Sequence, residues 1–105
     1  MTELKEPMAV AEIRWLPESQ GGRSSGPPTA SVYAATATFP GSDAPLLSIL
    51  VEHITPQPHG LALANIGFLV PELARPHLHV GAELLITEGP QIVAHAIIRH
   101  LMASE

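Results

Sequence analysis

Apolar and polar residues alternate along most of the chain, with the period of two that is typical of a half-buried β-strand. The first such segment places Ile13 and Trp15 on one face, and Glu12 and Arg14 on the other. The same alternation recurs further along the chain. It predicts six strands, at residues 8–16, 30–39, 46–54, 61–70, 82–88 and 91–101.

Prolines and glycines separate these segments and predict turns between them. The longest stretch of this kind is a polar loop at residues 17–28. Residues 71–81 predict a connection with one helical turn at residues 72–75, which Pro76 would stop. Residues 95–102 have the propensity for a helix, but the alternation of this segment and the tight turn before it favour a strand.

Six short strands with regular turn signals predict an all-β sandwich or barrel. The abundant alanines favour a single β-barrel, because small side chains allow a few strands to close tightly. We expect residues 1–7 to be a flexible tail and residues 8–105 to form one domain. The aromatic residues fall on apolar faces and are expected in the core, and they are Trp15, Tyr33, Phe39 and Phe68.

The composition predicts an apolar surface on this barrel. Hydrophobic residues make up 46% of the 105 residues and charged residues only 14%, which leaves few charges to cover the surface. We therefore expect an exposed apolar patch, and with it a protein partner or self-association. The net charge is −5 and the five basic residues are scattered. Because nucleic-acid binding needs clustered cations, we do not expect a nucleic-acid partner.

The chain contains no cysteine, which excludes disulfides, thiolate metal sites and a cysteine nucleophile. Residues 1–7 are polar and lack the apolar core of a signal peptide. No apolar run approaches the ~20 residues of a membrane-spanning helix. We therefore expect a soluble, cytoplasmic protein without membrane association.

Two segments carry a resemblance to a known family. The sequence RWLPESQGGRS at residues 14–24, with its Gly21-Gly22-Arg23 motif, resembles a strand and loop of the C-terminal β-barrel domain of elongation factor Tu. The sequence VGAELLITEG at residues 80–89 resembles the penultimate strand of that domain. The likeness is collinear from about Ala9 to Leu101, so the chain resembles a stand-alone, divergent version of the domain.

This resemblance implies a six-stranded antiparallel barrel, which in the elongation factor helps to bind the aminoacyl-tRNA arm and an exchange factor. The chain departs from the family in two places. The basic, aromatic stretch after Gly-Gly-Arg is replaced by residues 29–33, which contain no base, and the hairpin carries Pro90 and Gln91 instead of a glycine and an arginine. No P-loop pattern occurs, so we expect no nucleotide binding and do not carry over the tRNA role.

The loop residues Gly21, Gly22 and Arg23 are the best candidates for a binding site. Glycines allow the backbone to approach a partner closely, and a guanidinium offers bidentate bonding to a carboxylate or phosphate. In the alternative interpretation the glycines serve only a turn, and Arg23 pairs with an acidic neighbour such as Glu18.

The histidines suggest a second, metal-binding candidate. On a strand, the spacing of His77 and His79 would place both imidazoles on one face, where they could share a metal ion if Glu83, His95 or His100 supplied a third ligand. Otherwise they are histidines of a surface or half-buried loop. The glutamates are isolated and show no nucleophile–base–orienter arrangement, so we expect no catalytic residues, no enzymatic activity and no cofactor.

These patterns favour a non-enzymatic protein-interaction module that uses an exposed strand edge or the loop at residues 17–28. A translation-related accessory that contacts tRNA or a factor domain is the first alternative, and only the resemblance motivates it. A small metal-binding protein that uses His77 and His79 is the second alternative.

Overall fold

The computed structural model of the protein describes residues 7–22, 32–41 and 45–102. Within these ranges one helical turn, α1, spans Pro71–Ala74, and 3₁₀ turns lie at Glu18–Gln20, Pro58–Gly60 and Arg75–His77. The same ranges contain six strands, which are β1 (Ala9–Trp15), β2 (Val32–Thr38), β3 (Leu47–Pro56), β4 (Leu61–Phe68), β5 (Glu83–Glu88) and β6 (Gln91–Leu101).

The strands form a closed barrel in the order β1-β4-β3-β2-β5-β6, and β6 pairs again with β1. Every neighbouring pair is antiparallel. The prediction of an all-β, six-stranded barrel is confirmed. The strand preferred for the last segment is confirmed as well, and the helical alternative for residues 95–102 is wrong. In β6 the backbone groups are committed to ladders on both sides, with β1 and with β5.

The inward faces of the strands supply the core. In β1 the side chains of Ala9, Ala11 and Ile13 are fully buried, while Arg14 on the opposite parity is exposed. Alanines at inward positions leave room for the branched side chains that fill the small interior. The largest fully buried side chains come from every strand except β2, and they are Ile13, Ile49, Ile66, Leu84, Ile86, Ile98, Val51 and Val93.

The third strand extends further than the sequence predicted and includes a proline at its end. We expected the third strand to end at residue 54, but β3 continues to Pro56. The amide of Gln57 donates to the carbonyl of Leu61 at 2.8 Å, so the nitrogen of the preceding Pro56 points away from β4. On its other side, β3 last pairs with β2 at Glu52 in the described residues. No ladder bond is therefore required from Pro56.

The expected helical turn in the connection is present as α1, which ends at Ala74, two residues before Pro76. The chain continues through Pro76 in the 3₁₀ turn Arg75–His77. The bond that closes this turn is donated by the amide of Leu78 to the carbonyl of Arg75, at 3.2 Å. Because Pro76 occupies an early position whose N–H has no acceptor in such a turn, proline is tolerated there.

The alternating strand directions define two ends of the barrel. At the glycine-loop end β1, β3 and β5 finish, and residues 16–22 leave β1. At the connection end β2, β4 and β6 finish, and residues 69–82 cross from β4 to β5. The helical segments of the described residues are single turns, and none of them could serve as a membrane-spanning helix.

Candidate functional site

Gly21 and Gly22 form a tightly fixed turn at the glycine-loop end. The amide of Gly22 donates to the carbonyl of Pro17 at 2.9 Å, and that of Gly21 donates to Glu18 at 3.0 Å. Gly21 has a φ of +93°, a backbone conformation that glycine adopts without steric cost. This geometry favours the turn interpretation for both glycines. Arg23, the third residue of the candidate site, lies outside the described residues.

The start of β6 holds this turn in place. Nε2 of Gln91 donates to the carbonyl oxygen of Gly22 at 2.7 Å and also to that of Gly21. The glycine turn of residues 14–24 therefore contacts the start of β6. The sequence singled out Gln91 only as a departure from the family pattern, and nothing in its sequence neighbourhood indicated this contact.

Aromatic side chains fill the same end of the barrel from inside. The rings of Trp15 and Tyr33 meet edge to face, with centroids 5.5 Å apart, and the hydroxyl of Tyr33 donates to the carboxylate of Glu88. Nε1 of Trp15 is buried and has no hydrogen-bond partner in the described residues. These contacts tie β1, β2 and β5 together, so they serve closure of the barrel.

The two histidines of the candidate metal site do not lie on a strand, contrary to the geometry considered from the sequence. His77 ends the 3₁₀ turn and its ring lies against Phe39, with centroids 5.2 Å apart. His79 is exposed, and its Nδ1 lies 3.2 Å from the carbonyl oxygen of Val80. Within residues 7–22, 32–41 and 45–102, no three His, Asp or Glu side chains come together to hold a metal ion.

The carboxylates considered for acid–base chemistry lie in different surroundings. Glu52 is buried on the outer face of β3, opposite Asn65 of β4. Glu83 is exposed at the start of β5, whereas Glu88 at its far end accepts the hydrogen bond from Tyr33. The described geometry therefore does not unite them in one site.

Exposed apolar side chains concentrate at the connection end. Among the described residues, seven large hydrophobic side chains are exposed, and only Ile92 lies at the glycine-loop end. The other six expose between 39% and 62% of their surface, and they are Leu46, Leu69, Val70, Leu73, Val80 and Leu101. We call these six residues the apolar patch. The composition predicted an exposed apolar surface, but it did not locate it.

Hydrogen bonds place several members of the apolar patch near one another. The amide of Leu69 donates to the carbonyl of Ser48 at 3.1 Å, which brings the end of β4 beside the start of β3, next to Leu46. The amide of Leu73 donates to the carbonyl of Val70 at 3.1 Å. The sequence contained a signal, since consecutive apolar residues at the end of β4 break its alternation.

The connection that carries much of the apolar patch is anchored to the core. Ala74 in α1 is completely buried in the core cluster, and Leu78 packs against the same cluster from the next turn. Because Phe68 before the exposed Glu72–Leu73 pair and Ala74 after it are both buried in the core cluster, the exposure of Leu73 is a property of the folded state. A frayed loop would show few such buried contacts.

The fold and the site define this chain as a small, closed antiparallel barrel with one apolar end. A scan of protein-family models and a search of curated proteins found no match to the chain.

Proposed function

We propose that the protein is a non-enzymatic protein-interaction module that binds its partner through the connection end. The observation that carries this proposal is the apolar patch, since six of the seven exposed large hydrophobic side chains of the described residues lie at that end. Concentrations of exposed apolar side chains at one end of a protein mark interaction sites.

Closure of the barrel favours the connection end as the binding surface over the exposed strand edge that was considered from the sequence. In the described structure each strand has a neighbour on both sides, so no strand presents a whole free edge for pairing with another chain. The docking surface is therefore formed by side chains, not by a backbone ladder.

The described basic residues support a protein partner over a nucleic acid. Arg14 lies near the glycine-loop end of β1, and Arg75 lies in the connection at the opposite end. The third, Arg99, is engaged with Glu12, with a distance of 2.6 Å between Nη2 and Oε1. The translation-related alternative depends on Arg23, which is outside the described residues, and no described contact favours it.

Site-specific photo-crosslinking tests the proposal. Leu73 is replaced by p-benzoylphenylalanine, and the protein is irradiated in a lysate of its native host. We expect a discrete crosslinked adduct, because an interface residue lies within reach of its partner. The matched control places the same photoreactive residue at Ile92, the exposed apolar residue of the opposite end, where we expect no adduct. The same adducts from both positions, or none from position 73, would contradict the proposal.

A further inference from the structure

We infer that the partner of the connection end is a second copy of this chain, bound around a two-fold axis. This inference rests on the proposed function and goes one step further, because it names the partner. Its evidence is the pair of opposite charges that accompanies the apolar patch.

Glu72 and Arg75 flank the exposed Leu73 and are themselves exposed. They lie three residues apart, at the distance that places side chains on the same side of a helical turn. Neither makes an ion pair or a side-chain hydrogen bond in the described residues. By contrast, Glu12 and Arg99 on the barrel wall do pair with each other.

A two-fold axis converts this arrangement into a reciprocal contact. In an isologous interface, if residue i of one copy meets residue j of the other, then j also meets i. Glu72 of each copy can therefore face Arg75 of the other, which gives two ion pairs from one pair of residues. A partner of unrelated sequence would need its own basic and acidic side chains at the positions that face Glu72 and Arg75.

Local charge balance also favours self-association at this end. The chain carries a net charge of −5, so two copies repel each other over most of their surfaces. Residues 69–82 contain one acidic side chain and one arginine, apart from the histidines. The connection itself therefore has no net charge from these residues, so two copies do not repel each other through this segment.

The size of the surface is compatible with a homodimer. Together the six side chains of the apolar patch expose roughly 500 Å² of largely apolar surface, which is at the upper end for a monomer. A standard interface buries about 800 Å² on each partner. Exposed polar and proline residues of the connection, such as Glu72, Arg75 and Pro76, can supply further area.

Charge reversal tests the inference with purified protein. Sedimentation velocity over a range of concentrations measures the dimer dissociation constant of the wild type. Glu72→Lys places two like charges against Arg75 in the dimer, and Arg75→Glu does the same against Glu72. We expect each single variant to raise the dissociation constant by about tenfold, because two attractive contacts become repulsive.

Two combinations of these variants provide the decisive comparison. An equimolar mixture of Glu72→Lys and Arg75→Glu restores opposite charges at both contacts, so heterodimers should form with about the wild-type dissociation constant. The double variant Glu72→Lys/Arg75→Glu should also recover dimerisation. A general loss of folding or solubility would not be repaired by either combination.

Apolar variants complete the test. Leu73→Ser should weaken dimerisation about tenfold or more, whereas the control Ile92→Ser should leave it unchanged. Circular dichroism confirms that each variant is folded, as expected for changes at exposed positions. A wild type that remains monomeric, or a dimer unaffected by the single charge reversals, would overturn the inference. If the wild type is monomeric but still crosslinks from position 73 to a different protein, the dimer is overturned and the proposed interaction function is supported.

Discussion

At the scale of single residues, the clearest constraint lies at Gly22. A Cβ atom placed on Gly22 would lie 1.8 Å from the carbonyl oxygen of Leu16, whereas one placed on Gly21 would meet nothing within 4 Å. The two neighbouring glycines therefore serve different purposes. Gly22 is required for close backbone approach, and Gly21 for its positive φ.

This difference predicts unequal costs for two conservative substitutions. Gly22→Ala should lower the free energy of unfolding by about 3 kcal/mol, because the methyl group collides with backbone atoms that cannot rotate away. Gly21→Ala, the matched control, should cost about 1–2 kcal/mol for adopting a left-handed conformation. Urea denaturation monitored by tryptophan fluorescence measures both. Equal losses would show that Leu16 does not constrain Gly22 in this way.

The sequence identified the Gly-Gly pair but not what holds it. Turn chemistry is local, so two adjacent glycines after a proline are recognisable from sequence. The bond from Gln91 to Gly22 joins residues 69 positions apart, and it depends on how β1 and β6 align in the barrel. Such contacts follow from strand register, which the alternation of side chains does not determine between distant segments.

At the scale of elements, the ladder between β2 and β5 is the shortest in the described barrel, with three residue pairs, whereas β1 and β6 share seven. A pair of threonines reinforces this short ladder. The hydroxyl oxygens of Thr36 and Thr87 lie 2.5 Å apart, and the hydroxyl of Thr36 also donates to the carbonyl of Thr87 at 3.1 Å. Side chains thus add hydrogen bonds where the backbone contributes few.

Valine substitutions in this pair should reveal its energetic coupling. Thr36→Val and Thr87→Val keep the shape and β-branching, and each should cost about 1 kcal/mol because the hydrogen bond between the two hydroxyls is lost. The double variant should cost clearly less than the sum. Thr38→Val is the control, since Thr38 makes no side-chain hydrogen bond in the described residues. Chemical denaturation of the four variants would contradict the account if all the losses were additive.

Most element positions were predictable, because a period of two persists through each strand and turn residues interrupt it. The errors concern the ends of segments: the fourth strand ends at Phe68 instead of residue 70, and the third continues to Pro56. Both Pro56 and Pro76 lie inside regular segments, since proline disrupts a segment only where its missing N–H would have had an acceptor. That condition depends on the neighbouring strand or turn, which a single sequence does not display.

At the scale of the whole molecule, the closed barrel separates a fixed glycine-loop end from an apolar connection end. The composition predicted exposed apolar surface, but its concentration at one end follows from topology. The alternating strand directions bring the starts of β1, β3 and β5 beside the ends of the other three strands. A charged and apolar connection then crosses that end, which produces the surface proposed for dimerisation.

Closure of the barrel depends on the contact between its first and last strands. Arg14 of β1 lies directly opposite His95 of β6, and both side chains are exposed. His100 lies opposite Val10 instead, which places it four residues along β1 from Arg14, about 13 Å away. Because the chain has no cysteine, a pair of introduced cysteines can report on this contact without interference.

The most direct measurement of closure is disulfide formation in two double-cysteine variants. Arg14→Cys/His95→Cys should oxidise to an intramolecular disulfide, since the Cα atoms of directly opposed residues lie within the range for a disulfide. Arg14→Cys/His100→Cys, the control, should keep free thiols under the same mild oxidation. Mass spectrometry of the intact monomer distinguishes the two states. A disulfide in the control but not in the first variant, or in neither, would contradict the closed barrel.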